Sequence, residues 1–297
     1  MYAMRRVRTR VFPDPAPATT SSGEPAWATA FCCWGLSPSS NGSVVVMAGS
    51  LLGLAVMEPL ADSEIKRVLV INAHPDDSDF GASGTIAQWV KKGIEVAYVF
   101  CTNGDQGGEE SGFTKEEMPA IRQREQRAAG AAIGVTDITF LNYVDGHLEP
   151  TLELRKDIVR QIRISKPDRI VCQSPERNWD RIGASHPDHL AAGEATIQAV
   201  YPDARNPFAF TDLLDNEGLQ PWRVKEVWVS GFAHPDHWVD ITDTFDLKMA
   251  ALHAHVSQTA HNKELENMVR EWGQRNAGIG GLPEGRIAEA FKIVHTA

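Results

Sequence analysis

From residue 67 onward, short apolar runs of strand length alternate with segments of helical spacing, and this alternation limits the fold most. The runs are VLVINA at 68–73, VAYVFC at 96–101, ITFL at 138–141, RIVC at 169–172 and VWVS at 227–230. Continuous apolar runs are typical of strands buried on both faces of a parallel sheet. The pattern therefore predicts an α/β fold, a Rossmann-like, doubly wound, mostly parallel sheet in a single domain.

The segments between these runs have apolar residues at helical spacing. They predict helices at 84–93, 119–134, 152–165, 190–200 and 245–255. With right-handed crossovers, every loop from a strand to the next helix lies at the carboxyl edge of the sheet, where such folds bind ligands. Candidate functional residues are therefore sought directly after the strands.

The first sixty residues differ in composition from the rest of the chain. They are rich in arginine, proline and small polar residues, which predicts a disordered or weakly ordered extension at 1–60 and a folded domain at 61–297. An apolar stretch at 44–57 is shorter than the roughly 20 residues that a membrane-spanning helix needs. We expect neither membrane insertion nor secretion.

Charge and cysteine content narrow the class of protein. The net charge of -10 gives no positive potential that would attract phosphates, so nucleic acid is not an expected partner. A small polar substrate is expected instead. Cys32, Cys33, Cys101 and Cys172 form no C-x-x-C pair, and a reduced, cytoplasmic protein is the expectation. Association into a homo-oligomer stays open.

Two clusters of histidine and aspartate follow predicted strands. His74-Pro75-Asp76-Asp77 comes directly after VLVINA, and His186-Pro187-Asp188-His189 precedes a helix. Imidazole nitrogen and carboxylate oxygen are ordinary zinc ligands, and a catalytic zinc keeps three of them plus water. His74, Asp77 and one imidazole of the later cluster could supply this set, which Fe²⁺ would also accept. A neighbouring carboxylate and a second imidazole could serve as base and as oxyanion stabiliser.

For each cluster, the alternative to a metal site is a structural turn. Proline fixes φ, and aspartate often bonds its own backbone, so an isolated HPDH string is more often a turn than a metal site. The same four letters recur at His234-Pro235-Asp236-His237 after another predicted strand, and spacing alone does not exclude that copy.

Several further motifs, in this order, give the chain a resemblance to a known family. They are AHPDD at 73–77, GTIA from Gly84, CTNGDQG at 101–107, Arg122-x-x-Glu125, Asp145-Gly146, Pro167-Asp168, HPDH at 186–189 and VDITDTFDLKMAALHAHVSQ at 239–258. From about residue 67 to 258 the chain resembles the LmbE-like, or PIG-L-type, N-acetylglucosaminyl deacetylases.

The resemblance implies a role for each residue of the two clusters. It makes His74, Asp77 and His189 the zinc ligands and Asp76 the general base. It gives His186 the stabilisation of the tetrahedral intermediate or the protonation of the amine. Asp188 is then expected to orient His186 through a hydrogen bond. The copy at 234–237 lacks the following alanine-rich helix and is expected to be a structural turn, the alternative being that His234 and His237 line the pocket.

Three more residues are candidates for binding the substrate. Arg122 matches an arginine that the family has near the substrate, and the alternative is a surface ion pair with Glu125. Asn103 and Asp105 could bind sugar hydroxyls, and the alternative is capping within their own loop.

Other residues are expected to lie outside the site or differ from the family pattern. His253, His255 and His261 are expected to be solvated. Where many relatives have a glutamate after AHPDD, this chain has Ser78 and then Asp79. Ala184 stands where some sugar–inositol deacetylases have tyrosine, which puts that substrate in doubt.

The sequence thus predicts a zinc-dependent hydrolase that removes the acetyl group from an N-acetylglucosamine-containing small molecule. One alternative is an amidase for a larger acyl or thiol-conjugate amide, with an apolar pocket. Its candidate lining residues are Trp179, Trp222, Phe232 and Trp238. The other is a Rossmann-like module that binds metal and sugar without turnover, although such a module would need no base.

Overall fold

The computed structural model describes residues 58–108 and 111–296, all of which belong to one compact unit. The extension predicted at 1–60 and the apolar stretch at 44–57 lie almost wholly outside the described residues. The boundary near residue 60 stays a prediction.

The core of this unit is a seven-stranded sheet in the order β3-β2-β1-β4-β5-β7-β6. Strands β1 to β5 are parallel, and β7 is antiparallel to both β5 and β6. The strands are β1 (Arg67–Asn72), β2 (Glu95–Thr102), β3 (Asp137–Tyr143), β4 (Arg169–Gln173), β5 (Glu226–Ser230), β6 (His237–Asp240) and β7 (Ala288–His295). The order of the first five strands is also that of the Rossmann fold. The predicted doubly wound, mostly parallel sheet is confirmed.

Helices cover both faces of the sheet. They are α1 (Asp77–Gly81), α2 (Ser83–Lys91), α3 (Met118–Ile133), α4 (Leu152–Ser165), α5 (Pro187–Gln198), α6 (Thr211–Asp215), α7 (Phe245–Ala254), α8 (Val256–Thr259) and α9 (Leu265–Ile279). Alternate residues of β1 face opposite layers, since Leu69 packs in one core with α4 and α5 while Val70 packs in the other with α2 and α3. This two-sided burial explains the continuous apolar runs.

The C-terminal part of the chain was missed by the sequence prediction. Neither α9 nor β7 was expected, although β7 lies between β5 and β6 in the sheet. Residues of β7 alternate between buried and partly exposed positions, as in AEAFKIVH, and carry charges within the strand. A mixed pattern of this kind gives a weaker strand signal than the buried parallel runs.

Helix α5 begins three residues before the predicted start at Leu190. Pro187 occupies its first position, where a fixed φ is favourable and no amide hydrogen is needed. His186 caps the helix by accepting a hydrogen bond from the Asp188 amide. Gly193 lets the helix approach the end of β4, because a Cβ there would lie 2.4 Å from the carbonyl oxygen of Gln173.

A candidate metal centre at the carboxyl edge

The two predicted clusters meet above the reversal point between β1 and β4, where such sheets bind ligands. His74 follows β1, Asp77 is the first residue of α1, and His189 lies in the first turn of α5. His189 Nε2 lies 3.0 Å from Asp77 Oδ1, and His74 Nδ1 lies 3.3 Å from Asp77 Oδ2. The two histidine nitrogens are 3.2 Å apart.

This spacing fits one metal ion. Ligand atoms in a tetrahedron about 2.0–2.2 Å from zinc lie roughly 3.3–3.6 Å from one another. The donor set of two imidazoles and a carboxylate is also one that catalytic metal sites use. Ring nitrogens of His74, His186 and His189 form a further group within 4.8 Å, so His186 borders the same site.

Two carboxylates hold the far side of the His74 ring. Its Nε2 lies 3.0 Å from Asp145 Oδ1 and 3.2 Å from Asp188 Oδ2. The ring therefore turns Nδ1 toward Asp77 and His189, an arrangement in which outer carboxylates fix the orientation of a metal ligand. The sequence analysis quoted Asp145 in its Asp-Gly motif but gave it no role.

Asp188 has a different partner from the one expected. Its carboxylate contacts His74, and it accepts hydrogen bonds from the amides of Gly146 and Leu148 at 2.7 and 3.2 Å. Only its backbone amide bonds His186, donating to Nδ1 at 3.2 Å. The prediction that the Asp188 side chain orients His186 is therefore wrong, because the start of α5 turns that carboxylate toward β1.

The carboxylates make the site attractive to cations. Burial lowers the pKa of His74, but Asp77, Asp145 and Asp188 outweigh it and raise that pKa to about 12. Burial raises the pKa of Asp145, yet the bonds from His74 and the Gln106 amide bring it to about 2. A buried site that holds a positive charge this strongly is suited to a divalent metal.

Adjacent aspartates of the first cluster have opposite pKa shifts. Burial raises the pKa of Asp76, and the charge of Arg122 offsets this only in part. At Asp77, the charges of His189 and His74 overcome burial and hold the pKa well below its usual range. Asp77 is thus suited to stay ionised as a ligand, and Asp76 to take up a proton.

Arg122 supports Asp76 instead of standing on the surface. Its guanidinium donates to Asp76 Oδ2 at 2.9 Å, to the Pro75 carbonyl at 2.6 Å and to the Gly104 carbonyl at 2.7 Å. The side chain is 5% exposed, and Glu125 bonds Ser257. The expected surface ion pair with Glu125 is therefore wrong, and the contacts give Arg122 a positioning role behind Asp76; its contact with substrate stays a prediction.

Asp76 itself has a left-handed backbone, with φ at 84°. A non-glycine residue in this region is under strain and needs support from its surroundings. The Gln126 side chain accepts a hydrogen bond from the Asp76 amide at 2.7 Å and donates to Asp79 Oδ2 at 2.9 Å. The turn places successive side chains of 76 and 77 in different directions, as their two roles require.

His186 lies at the open side of the site. Its ring centroid is 5.0 Å from that of His74, and the residue is exposed. Burial, and then the charges of His74 and His189, lower its pKa. Among the described residues its Nε2 has no hydrogen-bond partner, so this atom is free to meet a substrate.

The side chains of Asn103 and Asp105 contact other side chains of the protein. Asn103 donates to Asn142 Oδ1 at 3.0 Å and accepts from Gln123 at 2.8 Å. Asp105 lies 3.8 Å from the Lys115 ammonium. These contacts tie the loop to neighbouring segments, and sugar binding by Asn103 and Asp105 stays a prediction.

The second HPDH copy, at 234–237, makes structural contacts. Asp236 pairs with Lys292 and accepts the Ile293 amide at 2.9 Å. His237 begins β6 and packs against Trp228, with ring centroids 4.9 Å apart. The copy therefore leads from β5 into β6 and packs against β7, outside the metal centre, with Pro235 lining the nearby cleft.

His255, which was expected to be solvated, is buried in the core. His255 is fully buried beside Asp79, whereas His253 and His261 are exposed as predicted. Lys248 is buried too, and it pairs with Glu289 at 2.7 Å. The expectation for His255 failed because the break between α7 and α8 turns that residue inward, which helical spacing alone does not show.

A cleft of about 470 Å³ is lined by Asp77, by His189 and by residues of α9. Of the four aromatic residues expected to line an acyl pocket, only Phe232 lines it. Trp272, on the unpredicted helix α9, lines it as well. Trp222 instead packs on the core and donates to the Pro167 carbonyl at 2.7 Å.

Comparison with known proteins agrees with this geometry. The family model described as GlcNAc-PI de-N-acetylase (PIG-L) matches residues 69–200. A diacetylchitobiose deacetylase of Thermococcus kodakarensis is 33% identical over 209 residues, covering 70% of this chain and 75% of that protein. The chain belongs to the PIG-L family. The family is metal-dependent, and its deacetylases are hydrolases.

Two more members extend the comparison. A probable N-acetyl-alpha-D-glucosaminyl L-malate deacetylase 2 of Bacillus cereus is 32% identical, over 65% of this chain and 84% of that protein. The solved N,N'-diacetylchitobiose deacetylase of Pyrococcus horikoshii superposes with a TM-score of 0.72 at 31% identity, covering 83% of this chain and 89% of that one. Among the described residues of this PIG-L protein, no helix is long and apolar enough to cross a membrane.

Proposed function

We propose that this PIG-L protein is a zinc-dependent hydrolase that removes the acetyl group from a small N-acetylglucosamine conjugate. The observation that carries the proposal is the meeting of His74, Asp77 and His189 within 3.3 Å of one another, with Asp76 beside them. The named deacetylases among its relatives act on such conjugates, which supports the substrate class. Fe²⁺ would fit the same ligands.

The residues divide the chemistry between them. A divalent ion at this site would polarise the amide carbonyl and lower the pKa of an adjacent water to about 7. Asp76 accepts a proton from that water, and its raised pKa favours this. Arg122 and Gln126 hold Asp76 in position, while Asp145 and Asp188 hold the ring of His74.

The reaction balances as a hydrolysis. The water oxygen forms a bond to the acetamide carbon, and the bond from that carbon to nitrogen breaks. One water proton passes through Asp76 or His186 to the leaving nitrogen, and the other leaves with the acetic acid, which ionises, so the products are acetate, a proton and a free amino sugar. His186, with Nε2 open to the site, is placed to stabilise the oxyanion or to protonate the amine.

The cellular setting is a further inference of ours. Cys101 and Cys172 are buried and unpaired, which is compatible with a reducing compartment such as the cytoplasm. A small molecule is the proposed partner, and a homo-oligomer stays a prediction.

The test is acetate release from a panel of N-acetylglucosamine conjugates by zinc-loaded protein, with and without a chelator. We expect release that the chelator abolishes. Asp76→Asn should keep the metal and lose turnover by about 10²–10⁴-fold, whereas Asp243→Asn, an exposed acid just before α7, should keep both.

The same panel addresses the two alternatives. Release of a long acyl group in preference to acetyl would favour the larger-acyl amidase. Metal-loaded protein that binds the conjugates but releases nothing would favour a binding module and would overturn the proposal.

A further inference from the structure

The cleft beside the metal centre is larger than an acetyl group requires. Its volume of about 470 Å³ lies in the range of pockets that enclose whole small ligands. Asp77 and His189 line it, and so do residues of α9 and of the loop before α5. With the acetamide at the metal centre, the cleft is left for another part of the substrate.

The charges that line the cleft do not balance. Lys248 and Glu289 neutralise each other in their buried pair, and Asp77 belongs to the metal centre. Arg181 and Arg275 remain, and neither forms an ion pair with a carboxylate in the described part of the chain. Two uncompensated guanidinium groups in the cleft of a protein with net charge -10 indicate an anionic ligand.

Trp272, which also lines the cleft, lies near both arginines. The guanidinium carbon of Arg181 lies 5.8 Å from the ring centroid of Trp272. Arg275 follows Trp272 by three residues on α9, so both side chains lie on the same side of that helix. The Trp272 side chain is 37% exposed, which leaves part of the indole free for a ligand. We call these three residues the arginine patch.

We propose that the arginine patch binds an anionic group, a carboxylate or a phosphate, on the aglycone of the N-acetylglucosamine conjugate. Guanidinium groups bind both anions through paired, charge-assisted hydrogen bonds. Trp272 packs against the carbon skeleton between the sugar and the anion. This inference rests on the proposed function, since removal of a small acetyl group leaves the cleft for the aglycone.

The test compares N-acetylglucosamine glycosides that differ in charge alone. The glycoside of glycolic acid carries a carboxylate, and that of glycolamide is its neutral match. The glycoside of 2-hydroxyethyl phosphate then separates phosphate from carboxylate. We expect kcat/KM to be at least about tenfold higher for one of the two anions than for the amide. This preference should shrink as salt is added.

Variants test which residues cause the preference for an anionic glycoside. The double variant Arg181→Gln/Arg275→Gln should lose it while retaining the glycolamide rate within about twofold. Arg177→Gln is the matched control, because Arg177 is an exposed arginine of the same loop that does not line the cleft. An equal loss in Arg177→Gln would mean that net charge alone sets the preference, and would overturn the inference.

A binding measurement keeps the two proposals apart. Calorimetric titration of zinc-loaded Asp76→Asn protein should show tighter binding of an anionic conjugate even when turnover is blocked. Acetate release without any preference for an anion, in rate or in binding, overturns the arginine patch and leaves the proposed function intact. A preference for an N-succinyl over an N-acetyl group overturns it too, because the anion would then lie on the acyl side. No acetate from any conjugate, with anion-selective binding retained, overturns the proposed function alone.

Discussion

His255 Nε2 lies 2.8 Å from Asp79 Oδ2, and neither side chain is exposed to solvent. The same carboxylate oxygen accepts from Gln126, whose carbonyl oxygen accepts from the Asp76 amide. A buried pair between α1 and the α7–α8 junction thus supports the backbone of the proposed base. In this chain Asp79, two residues after the AHPDD motif, is therefore a buried structural residue.

We expect His255→Ala to destabilise the protein by about 3 kcal/mol, because it leaves the Asp79 charge buried without its partner. His253→Ala, an exposed neighbour on α7, should change stability by no more than about 0.5 kcal/mol. Urea unfolding of both variants measures this. Equal stability of the two would contradict the role given to the pair.

The contribution of His255 should depend on pH. Burial lowers its pKa, but the hydrogen bond and charge of Asp79, with the charge of Asp76, raise it against the opposing charge of Arg122. A raised pKa in the folded state stabilises the fold fully below about pH 6.5, and the effect is lost as pH rises through the raised value. The difference in the free energy of unfolding between wild type and His255→Ala should therefore become smaller as the pH is raised from 6. A difference that widens would reverse the assignment.

Asp145→Asn should weaken metal binding by about 10–100-fold, the usual cost of losing an outer partner of a metal-ligating histidine. The physical reason is the 3.0 Å contact between Asp145 and His74 Nε2. Competition with a chromogenic chelator gives the affinity. Asp212→Asn, on the surface far along the chain, is the control; an unchanged affinity in Asp145→Asn would mean that Asp188 alone orients the ring.

Replacing Arg122 distinguishes positioning from substrate contact. Arg122→Lys cannot reproduce the three bonds to Asp76, Pro75 and Gly104, so we expect kcat to fall by roughly 10²-fold with little change in KM. Steady-state kinetics on the best conjugate separates the two constants. A rise in KM at unchanged kcat would return Arg122 to the substrate-binding role that the family motif implies.

Much of the fold could be read from local pattern. The runs that became β1, β2, β4 and β5 are apolar along almost their whole length because helices cover both faces. Helix α4 was predicted to the residue, since Thr151 caps its start by accepting from the Leu154 amide. Strand β7 was missed because its register depends on β5 and β6, which are distant in sequence.

The sequence by itself determined the order of elements, and therefore that two histidine-aspartate clusters would follow strands that end at one edge of the sheet. It also carried the motifs that place the chain in its family. Only the tertiary structure decided the partners: Asp145 and Asp188 on His74, Arg122 on Asp76, and His255 on Asp79. The physical reason is that strand and helix periodicity are local, whereas the partner of a buried charge is set by packing between segments far apart in the chain.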